Sequence, residues 1–158
     1  MKDLFSVRDK VVVVTGGSRG IGEMIAAGFL ANGAKVYISS RKAAACDATA
    51  ERLAKEYGGV CRSIPADLAT LEGIDSFCAR FREQEAHLDV LINNAGVAWG
   101  EPLEKFRETG GARAWTPNLR GPSFSFNRSC SSLESGPGDN PPVLSRTLGL
   151  TEASTHLP

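Results

Sequence analysis

Lys10–Thr15 reads KVVVVT, a run of β-branched residues with no polar alternation, as expected of a strand buried on both faces of a parallel sheet. The run breaks at Gly16-Gly17. From Gly20 apolar residues recur at helical spacing, with Ile21, Met24, Ile25, Gly28 and Phe29 on one face, and Asn32-Gly33 closes the segment. Lys35–Ser40 (KVYISS) reads as a second strand, and Ala43–Tyr57 as an alanine-rich helix ended by Gly58-Gly59. Val60–Pro65 reads as a third, weaker strand. A helix follows from about Thr70 to Ala86, with Leu71, Ile74, Phe77, Cys78 and Phe81 inward, and Leu88–Ile92 (LDVLI) reads as the fourth strand. Strands and helices that alternate with short connections imply right-handed crossovers and a parallel sheet covered on both faces.

The pattern changes after about Lys105. Six of the eight prolines lie in this last third, with a serine-rich stretch from Ser123 to Ser135, and no long segment keeps a helical or strand period without a Pro or Gly cutting it. Thr116-Pro117 and Gly121-Pro122 bias the backbone away from helix. Such a tail fits a disordered extension, and equally a stretch never selected to fold. The expected fold is therefore α/β: an incomplete Rossmann-type doubly wound parallel sheet of about four strands with an irregular C-terminal tail. The expected division is a half-domain over 1–105 and the tail over 106–158. Leu88–Ile92 is then expected to expose an open apolar edge, although Val143-Leu144 before Ser145 resembles a remnant of a fifth strand.

Composition narrows the partners. Basic and acidic residues balance at 18 each, which gives no electrostatic reason to expect nucleic acid or an anionic membrane. Met1–Lys10 has no apolar h-region, and no apolar run approaches the ~20 residues of a membrane span. Cys46, Cys61, Cys78 and Cys130 are scattered without a C-x-x-C pair, so reduced thiols in a cytoplasmic protein are the expectation. His87 and His156 are expected to be solvated rather than metal ligands.

Candidate chemistry concentrates in Thr15-Gly16-Gly17-Ser18-Arg19-Gly20-Ile21-Gly22, between the first strand and the first helix. Glycines are needed there for a tight turn and for close approach of the backbone to a pyrophosphate, and the helix start offers N–H groups and a positive dipole end. This segment resembles the TGxxxGxG fingerprint of the short-chain dehydrogenases/reductases. Asn93-Asn94-Ala95-Gly96, directly after the fourth strand, matches that family's second signature, and Asp67-Leu68 resembles its adenine-contacting site. Within the family, Gly17–Gly22 and Asn94–Gly100 look most like the 3-oxoacyl-(acyl carrier protein) reductases, in particular the rhamnolipid-biosynthesis type. The resemblance covers residues 1 to about 105 and continues faintly in Asn118-Leu119-Arg120. It implies that Thr15, Gly16, Ser18, Arg19, Gly20, Ile21, Gly22, Asp67, Leu68, Asn94, Ala95 and Gly96 contact a nicotinamide dinucleotide.

The second strand ends in Ser39-Ser40-Arg41-Lys42, where a carboxylate would repel a 2′-phosphate. Arg41 can pair with that phosphate bidentately and Arg19 can approach it from the glycine loop, so NADP(H) is the expected cofactor.

The family's general acid is a Tyr whose pKa is lowered by a Lys four residues on, with a Ser and a relay Asn. The only tyrosines here are Tyr37 and Tyr57, both before the NNAG segment; the last lysine is Lys105, and no Tyr-x-x-x-Lys exists. Asn118 lies where the relay Asn would fall. Trp99 lines a substrate mouth or simply packs. The chain is therefore expected to bind NADPH without reducing a carbonyl, a substrate belonging only to a complete form, and the family's oligomer interface is expected to be largely missing. Three readings follow. The first is a ketoreductase sequence truncated, or departing from its family after Lys105 by frame or splicing. The second is a non-catalytic module for dinucleotide or a partner. The third is an enzyme with some other acid.

Overall fold

The computed structural model describes residues 6–96 together with the backbone of 134–135 and 143–145. The elements run β1 (Val11–Thr15), α1 (Gly20–Ala31), β2 (Lys35–Ser39), α2 (Ala43–Tyr57), β3 (Cys61–Ser63), α3 (Leu71–Arg82), β4 (His87–Leu88), β5 (Val90–Asn93), β6 (Glu134–Ser135) and β7 (Val143–Ser145). The main sheet has the order β3-β2-β1-β5-β7 and all its pairings are parallel. Val11 lies opposite Lys35 and Thr15 opposite Ser39, while Val12–Val14 lie opposite Val90–Ile92. The architecture is a Rossmann-type doubly wound α/β sheet.

The unbroken valine run of β1 is explained by its two covered faces. Val11 and Val13 point to one side, where Tyr37, Leu91 and α3 residues Ile74, Phe77 and Phe81 form one core. Val12 and Val14 point to the other, where Val36, Ile38 and Ile92 meet Ala26 and Leu30 of α1 and Ala50 and Leu53 of α2. A strand with helices on both sides has no solvent face on which a polar alternation would be useful.

Helix boundaries follow local chemistry. At the start of α3 the Thr70 hydroxyl accepts the Gly73 N–H at 3.0 Å, satisfying one of the amides that a helix start leaves unpaired. At the end of α2, Gly58 adopts φ +66 and donates to the Ala54 carbonyl, the left-handed ending that favours glycine.

Several expectations change here. α1 buries Gly22, Ala26 and Leu30, with Ile25 and Phe29 flanking, and leaves Met24 72% exposed. α3 ends at Arg82, and Leu71 is 65% exposed rather than inward. The expected fourth strand divides at Asp89 into β4 and β5. The edge of β5 is not open: β7 pairs along it, with Leu91 opposite Val143 and Asn93 opposite Ser145. A short β-branched and apolar segment suits a parallel edge, and Pro141-Pro142 precede the strand in sequence rather than interrupt it. β4 pairs separately with β6.

Asp89 explains the division of the fourth strand. Its buried carboxylate accepts the Val11 N–H at 2.8 Å and meets Lys10 Nζ at 2.8 Å. His87 Nε2 lies 3.3 Å from the same group, so His87 has a carboxylate neighbour rather than being merely solvated. Burial pushes the Asp89 carboxyl up, but Lys10, the Val11 amide and His87 together outweigh it and hold it below the ordinary carboxylate value.

Cys46 and Cys61 are free and buried; burial raises both thiols, Cys61 to about 12. Cys78 is disulfide-bonded, a departure from the expectation of four reduced thiols. Among the described residues no helix is long and apolar enough to cross a membrane.

Candidate functional site

The chain leaves β1 toward β2 on one side and returns to β5 on the other, so the loop after Thr15 sits where the strand order reverses. Crevices at such switch points, beyond the carboxyl ends of the strands, are where open α/β sheets hold ligands.

Backbone bonds shape the loop first. The Gly16 and Gly17 N–H groups donate to the Ser39 carbonyl at 2.8 and 3.2 Å, so the end of β2 holds the entry to the turn. Gly16 has φ +68 and Gly20 φ +58, left-handed values that favour glycine. Gly22 is required by contact instead. A Cβ there would stand 2.2 Å from the Gly16 carbonyl oxygen and 2.5 Å from Asn94 Nδ2. Absence of a side chain thus lets the first turn of α1 lie directly on the loop.

Thr15 joins the loop to the NNAG segment. Its hydroxyl donates to the Ile92 carbonyl at 3.2 Å and accepts the N–H groups of Asn94 and Ala95 at 3.0 and 2.9 Å. The Asn94 side-chain amide donates back to the Thr15 and Gly16 carbonyls at 3.1 and 3.4 Å. The structure therefore brings together Thr15, Gly16, Asn94 and Ala95 in one bonded unit, with Gly22 lying close against it.

Among the described residues, the outer side of this unit is open. A Cβ on Gly20 would meet nothing within 4 Å. Arg19, at the start of α1, has an extended backbone, and its side chain makes no cap hydrogen bond. Arg19 and Arg41 are exposed, and neither forms an ion pair among the described residues. Buried polar atoms at the strand ends, Ser39 Oγ and both amide atoms of Asn93, have no hydrogen-bond partner among the described residues. This combination is suited to an anionic ligand with several phosphates.

Asp67 and Leu68 follow β3 on a separate stretch. The Asp67 carboxylate accepts the Ala69 N–H at 3.1 Å and its carbonyl accepts the Thr70 N–H and hydroxyl. Leu68 is buried in the α3-side core, which leaves its backbone rather than its side chain for contact with a ligand. Asn118 and Trp99 lie outside the described residues.

Tyr37 is far from acid–base use. It is buried, its hydroxyl donates to Glu85 at 2.8 Å, and its ring packs edge-on against Phe81. Burial first, then the Glu85 carboxylate, pushes its pKa well above the ordinary phenol value.

Sequence reasoning missed three supporting residues. Thr49 of α2 donates to the Ser18 carbonyl at 2.9 Å. The Ser39 carbonyl holds two loop amides. Gly73 lets α3 approach the Asp67 loop, since a Cβ there would stand 1.9 Å from the Asp67 carbonyl oxygen. Only the glycine carried any signal, as a glycine inside a helical pattern.

A parallel doubly wound sheet with a glycine loop knit to an Asn-Ala-Gly segment at the switch point defines a Rossmann-type α/β protein built around that loop. The model of the short-chain dehydrogenase family matches residues 10–134, which extends past Lys105. The chain belongs to the short-chain dehydrogenase family.

A Pseudomonas aeruginosa rhamnolipids biosynthesis 3-oxoacyl-[acyl-carrier-protein] reductase is 44% identical over 75% of this chain and 46% of its own length. Galactitol 2-dehydrogenase of Agrobacterium fabrum is 31% identical over 75% of this chain and 44% of its own. Among solved structures, the Pseudomonas aeruginosa RhlG/NADP active-site complex superposes with a TM-score of 0.81 at 38% identity, covering 92% of this chain and 57% of that one. The L-sorbose reductase of Gluconobacter frateurii, complexed with NADPH and L-sorbose, gives 0.71 at 28%, covering 78% and 47%. The chain spans about half the length of the curated relatives it matches.

Proposed function

We propose that this chain binds NADP(H) in the crevice beyond β1 and that its 158 residues do not by themselves reduce a carbonyl. The observation that carries the reading is the Thr15–Gly22 loop, bonded to Asn94 and Ala95, with Arg19 in that loop and Arg41 just after β2 forming no ion pair among the described residues. The loop from Gly16 to Gly22, Ser18 included, holds the pyrophosphate. Arg41 and Arg19 pair with the 2′-phosphate, whose two negative charges need cationic partners. Asp67 and the Leu68 backbone receive the adenine, and Asn94-Ala95-Gly96 borders the ribose. Ile21, at the start of α1, packs beside the phosphates. NADP complexes among the similar structures support this choice of cofactor.

Bound NADPH supplies a hydride; this chain's own residues bind and orient the cofactor. The protonation of an alkoxide needs an acid, and neither tyrosine fits: Tyr37 is committed to Glu85, and no lysine follows either one at the spacing that lowers a phenol pKa. Asn118 is proposed as the relay position of a fuller catalytic set. For a form carrying the Tyr and Lys, the similarity to the Pseudomonas aeruginosa relative supports a 3-oxoacyl-type carbonyl as substrate.

The test is titration of the purified chain with NADPH, followed by addition of a 3-oxoacyl thioester. Saturable binding with no ketone-dependent NADPH oxidation is the expected result. Ketone-dependent oxidation above a Gly22→Ala control would overturn the inactive reading, and absence of binding would overturn the cofactor reading.

A further inference from the structure

Thr49 is an unusual residue for the buried face of a helix. It is 8% exposed, among Cys46, Ala50 and Leu53 on the side of α2 that packs toward the sheet. Its β-branch and hydroxyl both disfavour a helix interior, where a threonine usually turns its oxygen back to the carbonyl one turn earlier. Thr49 instead donates at 2.9 Å to the Ser18 carbonyl, 31 positions away in sequence.

The bond lands on the tip of the glycine loop. The entry, Gly16 and Gly17, is held by the Ser39 carbonyl, and the exit by the contact of Gly22 with Gly16. Between them, Gly20 has open space around it and Arg19 has no side-chain cap bond. A planar trans peptide points its C=O and the next N–H in opposite directions. Holding the Ser18 carbonyl toward α2 therefore aims the Arg19 N–H away from α2 and fixes the plane from which the Arg19 side chain departs. One turn along α2, Arg52 meets Glu23 of α1 at 2.6 Å, which ties α2 to the helix that follows the loop. The segment that carries Arg41 leads directly into α2.

We propose that Thr49 is a positioning residue that locks the loop tip to α2, so that Arg19 and Arg41 address one 2′-phosphate and the site discriminates NADPH from NADH. This rests on the NADP(H) reading above and adds the device that sets its selectivity.

The test compares Thr49→Val, which keeps the shape and removes the hydroxyl, with Thr49→Ser, which keeps the hydroxyl. NADPH and NADH affinities are measured for each at one ionic strength, with melting temperatures to confirm folding. Losing a bond that leaves a part-buried carbonyl unpaired is expected to weaken NADPH about ten-fold in Thr49→Val. NADH shares the pyrophosphate held by the loop but lacks the phosphate that the arginines address, so it is expected to weaken clearly less, by about three-fold or less. Thr49→Ser should stay within about two-fold of the parent for both. Equal losses for both cofactors, or no loss for either, would overturn the proposal. Amide hydrogen exchange in the cofactor-free chain reads the anchor separately: faster exchange at Arg19 and Gly20 in Thr49→Val supports it, and unchanged exchange overturns it. A parent chain without NADPH preference would sink the cofactor reading and the selectivity role together, whereas failure of Thr49 alone would show only in the variants.

Discussion

The Thr15 hydroxyl accepts the Asn94 N–H at 3.0 Å, and the Asn94 side chain returns a bond to the Thr15 carbonyl at 3.1 Å. This reciprocal pair joins two segments 79 positions apart and makes the glycine loop and the end of β5 one unit. The same hydroxyl donates to Ile92, so its one proton and both lone pairs are used.

Removing that hydroxyl should therefore cost stability and cofactor affinity together. Thr15→Val is expected to destabilise the fold by about 2 kcal/mol, since buried polar groups lose partners that water cannot replace. Thr15→Ser should retain the bonds and lose about 1 kcal/mol for the missing methyl. Urea denaturation separates the two, and equal losses would show that the hydroxyl is not what matters.

Two glycines of α1 should respond oppositely to alanine. Gly22→Ala places a methyl against the Gly16 carbonyl and should cost about 3 kcal/mol or more and abolish NADPH binding. Gly28 is exposed, and a Cβ there meets nothing within 4 Å. Gly28→Ala should stabilise by about 0.5–1 kcal/mol through helix propensity alone. Thermal melts of both variants check the contrast.

Most of this architecture was legible in the chain. The valine run of β1, the glycine loop and NNAG mark the switch point because each carries an unambiguous local requirement. The face of α1 was not legible. Ile21, Met24, Ile25, Ala26, Ala27, Phe29 and Leu30 make the helix apolar almost all round, so periodicity does not choose a side; the approach of Gly22 to Gly16 does. Leu71 was read inward by its type, yet it opens α3 and faces solvent. The pairing of β7 beside β5 depends on a contact between distant segments, which three short residues after two prolines do not announce. Thr49 was invisible for the same reason: its partner lies across the fold, with no motif to mark it.

Acid should weaken the fold through Asp89. Its folded pKa lies below the ordinary carboxylate value of 3.8, so its contribution is fully present above that value. It is lost as pH falls from there through the lower folded pKa, when the carboxylate that holds Lys10 and the Val11 amide is neutralised. Asp89→Asn should cost about 1.5–3 kcal/mol at neutral pH and flatten the acid limb of a stability–pH profile. An unchanged acid limb would place the sensitivity elsewhere.

Tyr37→Phe should leave NADPH affinity unchanged, because its hydroxyl serves Glu85 on the α3 side of the sheet. A stability loss of about 1 kcal/mol is expected from the missing bond. Loss of cofactor binding in this variant would contradict the separation of that core from the site.

The most direct test of the account is the ratio of NADPH to NADH affinity, measured by fluorescence titration of the parent chain and of Arg41→Ala at one ionic strength. A charge-assisted pair with the 2′-phosphate predicts that the parent binds NADPH at least about ten-fold more tightly, and that Arg41→Ala removes most of this preference while leaving NADH affinity in place. Equal affinities in the parent, or a preference that survives in Arg41→Ala, would contradict it.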